Sequence, residues 1–175
     1  MIASFTVITS FTVETNMQNN GLKMKTELNG NTTEYPLWLK NFVDIYQTLS
    51  TDNLALLENI YHQDIIFIDP MHKVEGFNKL ADYFAGLYQN LTACEFIIEE
   101  VILQDSHAAL YWKMNYQHTK LNKGKTITVM GCSHIRGKDD KVYYHRDYLD
   151  LGAMLYEQLP VIGRIICWIK RKASK

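Results

Sequence analysis

Residues 107–119, HAALYWKMNYQHT, alternate in character from one side chain to the next. Ala108, Leu110, Trp112, Met114, Tyr116 and His118 fall on one face, and His107, Tyr111, Lys113, Asn115, Gln117 and Thr119 on the other. A period of two belongs to a β-strand and excludes a helix, whose apolar face recurs every three or four residues. A strand this long with one apolar face lies on a sheet that is solvated on one side and covered on the other.

The neighbouring segments supply that sheet. CEFIIEEVIL reads as a strand before it, LNKGK as a hairpin turn after it, TITVMGCSHIR as the next strand, GKDDK as another turn and VYYHRDYLDL as the last strand. The covering layer precedes them. PLWLKNFVDIYQTLS sets Leu39, Phe42, Val43, Tyr46 and Leu49 at helical spacing with Pro36 in the first turn, and TDNLALLENIYH predicts a short second helix capped by Thr51 or Asp52. DIIFIDP is a strand ended by Pro70, and from Gly76 the run FNKLADYFAGLYQNL is helical again through Phe77, Leu80, Phe84, Leu87 and Leu91. This order gives an α+β domain in which three N-terminal helices pack on a curved antiparallel sheet.

At 175 residues and 47% hydrophobic content the chain fits one domain with a sizeable core. A net charge of −1 argues against a nucleic-acid partner bound through a basic face. Cys94, Cys132 and Cys167 are odd in number and lack metal or redox spacing, which suits a reducing, cytoplasmic setting without a disulfide framework. Residues 1–33 lack the basic start of a signal peptide and read as a disordered or loosely attached leader, with Met17 and Met24 as alternative starts.

Residues 152–175 form an amphipathic tail in which every charge after Glu157 is basic. Its apolar run Leu159–Ile169 is about half of what a bilayer crossing needs. Packing of the tail on the domain or on a dimer mate is favoured, because Pro160 and Gly163 interrupt the helical pattern. The alternative is weak peripheral contact with an anionic membrane, Trp168 lying at the headgroups.

The densest cluster of ionisable groups is YYHRDYLD, residues 143–150. On a strand, His145, Asp147 and Leu149 share one face and Tyr144, Arg146, Tyr148 and Asp150 the other. Together with TDNLALLENIYHQDI, and with FIDP followed by VEGFNKLADYF, this segment resembles the SnoaL-like branch of the nuclear transport factor 2-like superfamily, which holds polyketide cyclases, limonene epoxide hydrolase and ketosteroid isomerases. The likeness runs from about Pro36 to Leu151, within a domain expected over residues 34–151. It implies a cone-shaped fold whose concave sheet face and helices enclose an apolar pocket, commonly in homodimers paired through the outer sheet face. His145, Asp147 and Leu149 then face the pocket, with Phe67, Asp69, Trp112, Met114, Tyr116 and Ser133 from neighbouring strands.

The same resemblance suggests chemistry and limits it. Asp69 matches the isomerase's proton-shuttling carboxylate, while a plain reading makes it the turn-forming residue of an Asp-Pro pair. The isomerase's oxyanion positions fall near Asp44 or Ile45 and on Ser133, against steroid isomerisation. Two members of the epoxide hydrolase triad fall on Met114 and Tyr116, against that reaction too. Asp147 and His145, two apart on one face, match the acid-base pair of the cyclases, or else form a buried hydrogen-bonded network with Arg146 or the histidine. No metal is expected from the scattered histidines, and no cofactor.

The expected function is therefore binding of a small hydrophobic or polycyclic molecule. Phe67, Trp112, Met114, Tyr116 and Ser133 are the candidate contacts, and Asp69, His145 and Asp147 the candidates for cofactor-free acid-base catalysis of cyclase or isomerase type. A non-catalytic ligand-binding or interaction module is the alternative. Met130 and Cys132, on the outer face, suggest a homodimer.

Overall fold

The computed structural model describes residues 26–28, 31–33 and 35–174. Two three-residue strands, β1 (Thr26–Leu28) and β2 (Asn31–Thr33), pair with each other outside the main sheet. The rest of the expected leader, with Met17 and Met24, lies outside the described residues.

Helix α1 (Leu37–Thr48) starts directly after Pro36, whose fixed φ suits the entry and whose carbonyl accepts the first helical N–H groups, from Leu39 and Lys40. Trp38, Leu39, Phe42, Val43 and Tyr46 are buried on its inner face. The expected second helix shrinks to a 3-10 turn, Leu54–Leu56, running into the single turn α2 (Leu57–Ile60). Neither Thr51 nor Asp52 caps it; their side chains bond each other, and Asn53 instead accepts the N–H of Ser50. Tyr61 and His62, read as the end of that helix, begin strand β3 (Tyr61–Ile68).

Strand β4 (Lys73–Glu75) folds back on β3 and is too short to announce itself in the sequence. Gly76 follows at φ 89, a conformation that a side chain disfavours, and turns the chain into α3 (Phe77–Tyr88). Four long strands complete the domain: β5 (Leu91–Gln104), β6 (His107–His118), β7 (Ile127–Lys138) and β8 (Lys141–Leu149). The main sheet has the order β4-β3-β8-β7-β6-β5. Every join is antiparallel except one: β3 lies parallel to β8, with Phe67 opposite His145.

Register shifts in β5 between Ile98 and Glu100, and in β7 between Arg136 and Gly137, bend the sheet. Helices α1 and α3 occupy the concave side, packed on β5, β8 and β3. Gly137 permits that landing, since a Cβ there would sit 2.2 Å from the Trp38 ring.

The tail continues as α4 (Leu151–Met154), capped by Asp150 accepting the N–H of Ala153, then a 3-10 turn at Tyr156–Gln158, then α5 (Ile162–Ala173). The expectation that Pro160 and Gly163 break this helix is corrected. Pro160 precedes it, and Gly163 sits in its first turn, where a Cβ would meet the Glu157 carbonyl oxygen at 2.3 Å. Glycine here brings the helix against the chain rather than interrupting it. No helix among the described residues is long and apolar enough to cross a membrane.

Candidate functional site

The concave face of the sheet leaves a cavity of about 280 Å³ between β6, β7, β8 and α3. Pleating explains who lines it. Trp112, Met114 and Tyr116 are alternate residues of β6, and Ser133 and Asp147 are cross-strand partners on β7 and β8. Phe67 and Asp69 reach the cavity from the end of β3, so the sequence-predicted contact residues all stand on its wall. Most of the wall is aromatic or aliphatic.

His145 is the exception to the predicted set. It is fully buried and does not line the cavity. Its ring stacks on Tyr61 at 5.9 Å between centroids and meets Phe42 and Phe67 edge-on. From there Nε2 lies 2.8 Å from Asp147 Oδ1, so the histidine supports the cavity-facing carboxylate from behind. Arg146, an expected alternative partner, is exposed on the opposite face, over the Tyr148 ring.

The hydrogen bonds around Asp147 can be ordered by counting protons. Trp112 Nε1 donates to Ser133 Oγ over 2.8 Å, and an indole nitrogen cannot accept. The Ser133 hydroxyl proton is therefore directed to Asp147 Oδ1, 2.5 Å away. On the other side, a neutral His145 donating from Nε2 must accept at Nδ1, where the Tyr61 hydroxyl lies at 2.6 Å. Tyr61 in turn lies 2.5 Å from the hydroxyl of Tyr46, which lines the cavity. A chain Tyr46–Tyr61–His145–Asp147 thus starts and ends on the cavity wall. Burial above all raises both tyrosine hydroxyls well above the ordinary phenol range and keeps them as proton-bearing donors.

Both donors to Asp147 fall on Oδ1, and Oδ2 has no protein hydrogen-bond partner among the described residues. Asp69 differs. Its Oδ1 accepts the backbone N–H groups of Met71 and His72, each at 2.7 Å, and its Oδ2 accepts the Tyr83 hydroxyl. That is the geometry of the plain reading, an Asp-Pro turn closed by its own side chain, and it leaves the carboxylate less free than that of Asp147. Burial and the bond to Asp69 raise the Tyr83 hydroxyl. Tyr116, pushed up to about 12 by burial, donates to the Met154 carbonyl.

Several wall residues escaped the sequence reading. Cys94 and Phe96 line the cavity from β5, and Leu151, Met154 and Leu155 from the segment read as tail. Tyr61 was hidden inside a helical pattern. Counting back by twos from Phe67 through Ile65 reaches it, and that was the available signal. Among the described residues no group of three His, Cys, Asp or Glu side chains is placed to hold a metal ion.

Comparison with known proteins gives the same architecture. The family model for the SnoaL-like domain matches residues 42–145, more than half of the chain. No curated protein sequence matches. Among solved structures, a nuclear transport factor 2-like protein of unknown function from Burkholderia pseudomallei superposes with a TM-score of 0.62 at 10% identity, over 69% of this chain and 96% of that one. A protein with a ketosteroid isomerase-like fold from Catenulispora acidiphila, in complex with trimethylamine, gives 0.60 at 12%, over 70% and 92%. An epoxide hydrolase of the LEH-like type from M. tuberculosis gives 0.55 at 13%, over 67% and 79%. The chain belongs to the SnoaL-like domain family, and it shares its fold with the nuclear transport factor 2-like and ketosteroid isomerase-like structures above.

Proposed function

We propose that this SnoaL-like chain binds a small, mainly apolar molecule in its cavity and moves a proton on it without a cofactor, Asp147 acting as the base. One observation carries the reading: the unshared Oδ2 of Asp147 belongs to a carboxylate on the wall of a largely apolar cavity, with His145 and Ser133 fixing its other oxygen. A carboxylate so held can take a proton from an acidic C–H or O–H of the ligand and return it at a second position. The Tyr46 hydroxyl, on the same cavity, gives its one proton to Tyr61 and so presents lone pairs that can accept a hydroxyl of the ligand and orient it toward Asp147. His145 is a positioning residue, because it reaches Asp147 and not the cavity.

The volume bears on the ligand. About 280 Å³ is at the small end for ligand sites, which fits one or two rings better than a larger polycyclic skeleton. Enolisable ketones and phenols of that size are the substrate class to test first. Thermal shift against a panel of one- and two-ring ketones and phenols checks the binding part. Members of the panel should raise the Tm of the wild type and not that of Met114→Trp, which fills the cavity from β6. A panel that stabilises neither protein, or both equally, removes the cavity as the site.

A further inference from the structure

Helix α5 is amphipathic, and it presents its apolar side to solvent. Ile162, Ile165, Trp168 and Ile169, at three- and four-residue spacing, are each about half exposed, at 46%, 53%, 54% and 51%, and Val161 just before them is at 67%. The opposite side holds the helix to the domain. Gly163 is buried against Glu157, Cys167 Sγ lies 3.9 Å from Glu157 Oε2, and Lys170 Nζ bonds Glu157 at 2.5 Å and Asp150 at 3.1 Å. A surface helix normally does the reverse, burying its apolar stripe. The expectation that these isoleucines pack on their own domain is therefore corrected: the ion pairs of Lys170 turn them outward.

We infer that this outward face docks on an anionic phospholipid surface. Charge decides between occupants. Residues 162–173 contain Arg164, Lys170, Arg171 and Lys172 and no acidic side chain. A second copy of the face would set like charges against each other, whereas anionic headgroups complement the three cations that Asp150 and Glu157 do not neutralise. Lys172 lies over the Trp168 ring, its Nζ 5.4 Å from the centroid, as a cation above an interfacial indole would. Twelve residues make a helix of about 18 Å, which lies in an interface rather than crossing it.

The test uses the full chain with vesicles of phosphatidylglycerol mixed into phosphatidylcholine, and with phosphatidylcholine alone. The protein should co-sediment with the anionic vesicles and not the neutral ones, and its fluorescence should shift blue, since Trp168 is exposed while Trp38 and Trp112 are already buried. Ile165→Glu should lower partitioning by about tenfold to a hundredfold, the value of one buried isoleucine, with unchanged Tm because the side chain is exposed. Three results overturn the inference: no co-sedimentation with anionic vesicles at low salt, partitioning indifferent to Ile165→Glu, or self-association abolished by Ile165→Glu, which would seat a second copy on the face.

Discussion

The hydroxyl of Tyr61 lies 2.6 Å from Nδ1 of His145, across the parallel join of β3 and β8 and 84 residues away in sequence. This contact ties the buried side of the site to Tyr46 and α1. Tyr61→Phe leaves a buried imidazole nitrogen and a buried phenol without their partner, at a cost of about 1–3 kcal/mol. Tyr46→Phe costs less, because Tyr61 still donates to His145. Urea denaturation of the two variants checks the order, and equal stabilities would break the chain as drawn.

Gly131 faces Trp112 across β6 and β7, and a Cβ there would stand 2.4 Å from the indole. Gly131→Ala therefore displaces Trp112 and stretches its bond to Ser133. A loss of about 1–3 kcal/mol, the usual cost of overpacking, should accompany a change in tryptophan emission. An alanine variant with native emission and stability would contradict the assigned fit.

On the outer face His134 stands between His107 on β6, Tyr144 and the cross-strand Arg146 on β8, with Arg136 two residues on. Burial, then Arg136 and His107, lower its pKa from 6.5. The unfolded chain then binds the proton more tightly, so this contribution to stability is full above pH 6.5 and is lost as pH falls through the lowered folded value. The Tm of the wild type should fall more steeply than that of His134→Gln on acidification below that point. Parallel curves would show that His134 is not under strain.

Met130 is 67% exposed, and Tyr111, Cys132 and Tyr148 form a cross-strand row beside it. An apolar strip on a sheet face predicts a homodimer through that face. Sedimentation at micromolar concentration should give a dimer for the wild type and a monomer for Met130→Glu. A monomeric wild type would leave the strip unexplained.

Legibility followed locality. Trp112, Met114 and Tyr116 could be assigned to the interior because a strand's period is carried by its own residues, whereas the inward facing of Asp147 came from the family resemblance. Their partners could not. The β3–β8 pairing joins distant segments in parallel, which no local pattern records, and Tyr61 fell in a stretch whose leucines mimic a helix. Distance along the chain also hid the tail's part in the wall, since Met154 and Leu155 follow the last strand and resemble a surface helix. For α5 the period was readable but its facing was not, because two acids, Asp150 and Glu157, hold Lys170 and so reverse the usual orientation.

The account stands most directly on proton transfer at Asp147. Deuterium incorporation at the α-carbon of 2-tetralone in D₂O, followed by proton NMR, measures it with a two-ring enolisable ketone. Wild-type protein should accelerate exchange above the buffer rate, and Asp147→Asn should reduce that acceleration by about 10²–10⁴-fold while still binding the ketone and keeping its Tm. Exchange at the same rate in both proteins, or binding to the wild type without any acceleration, would contradict the assignment of Asp147 as the base.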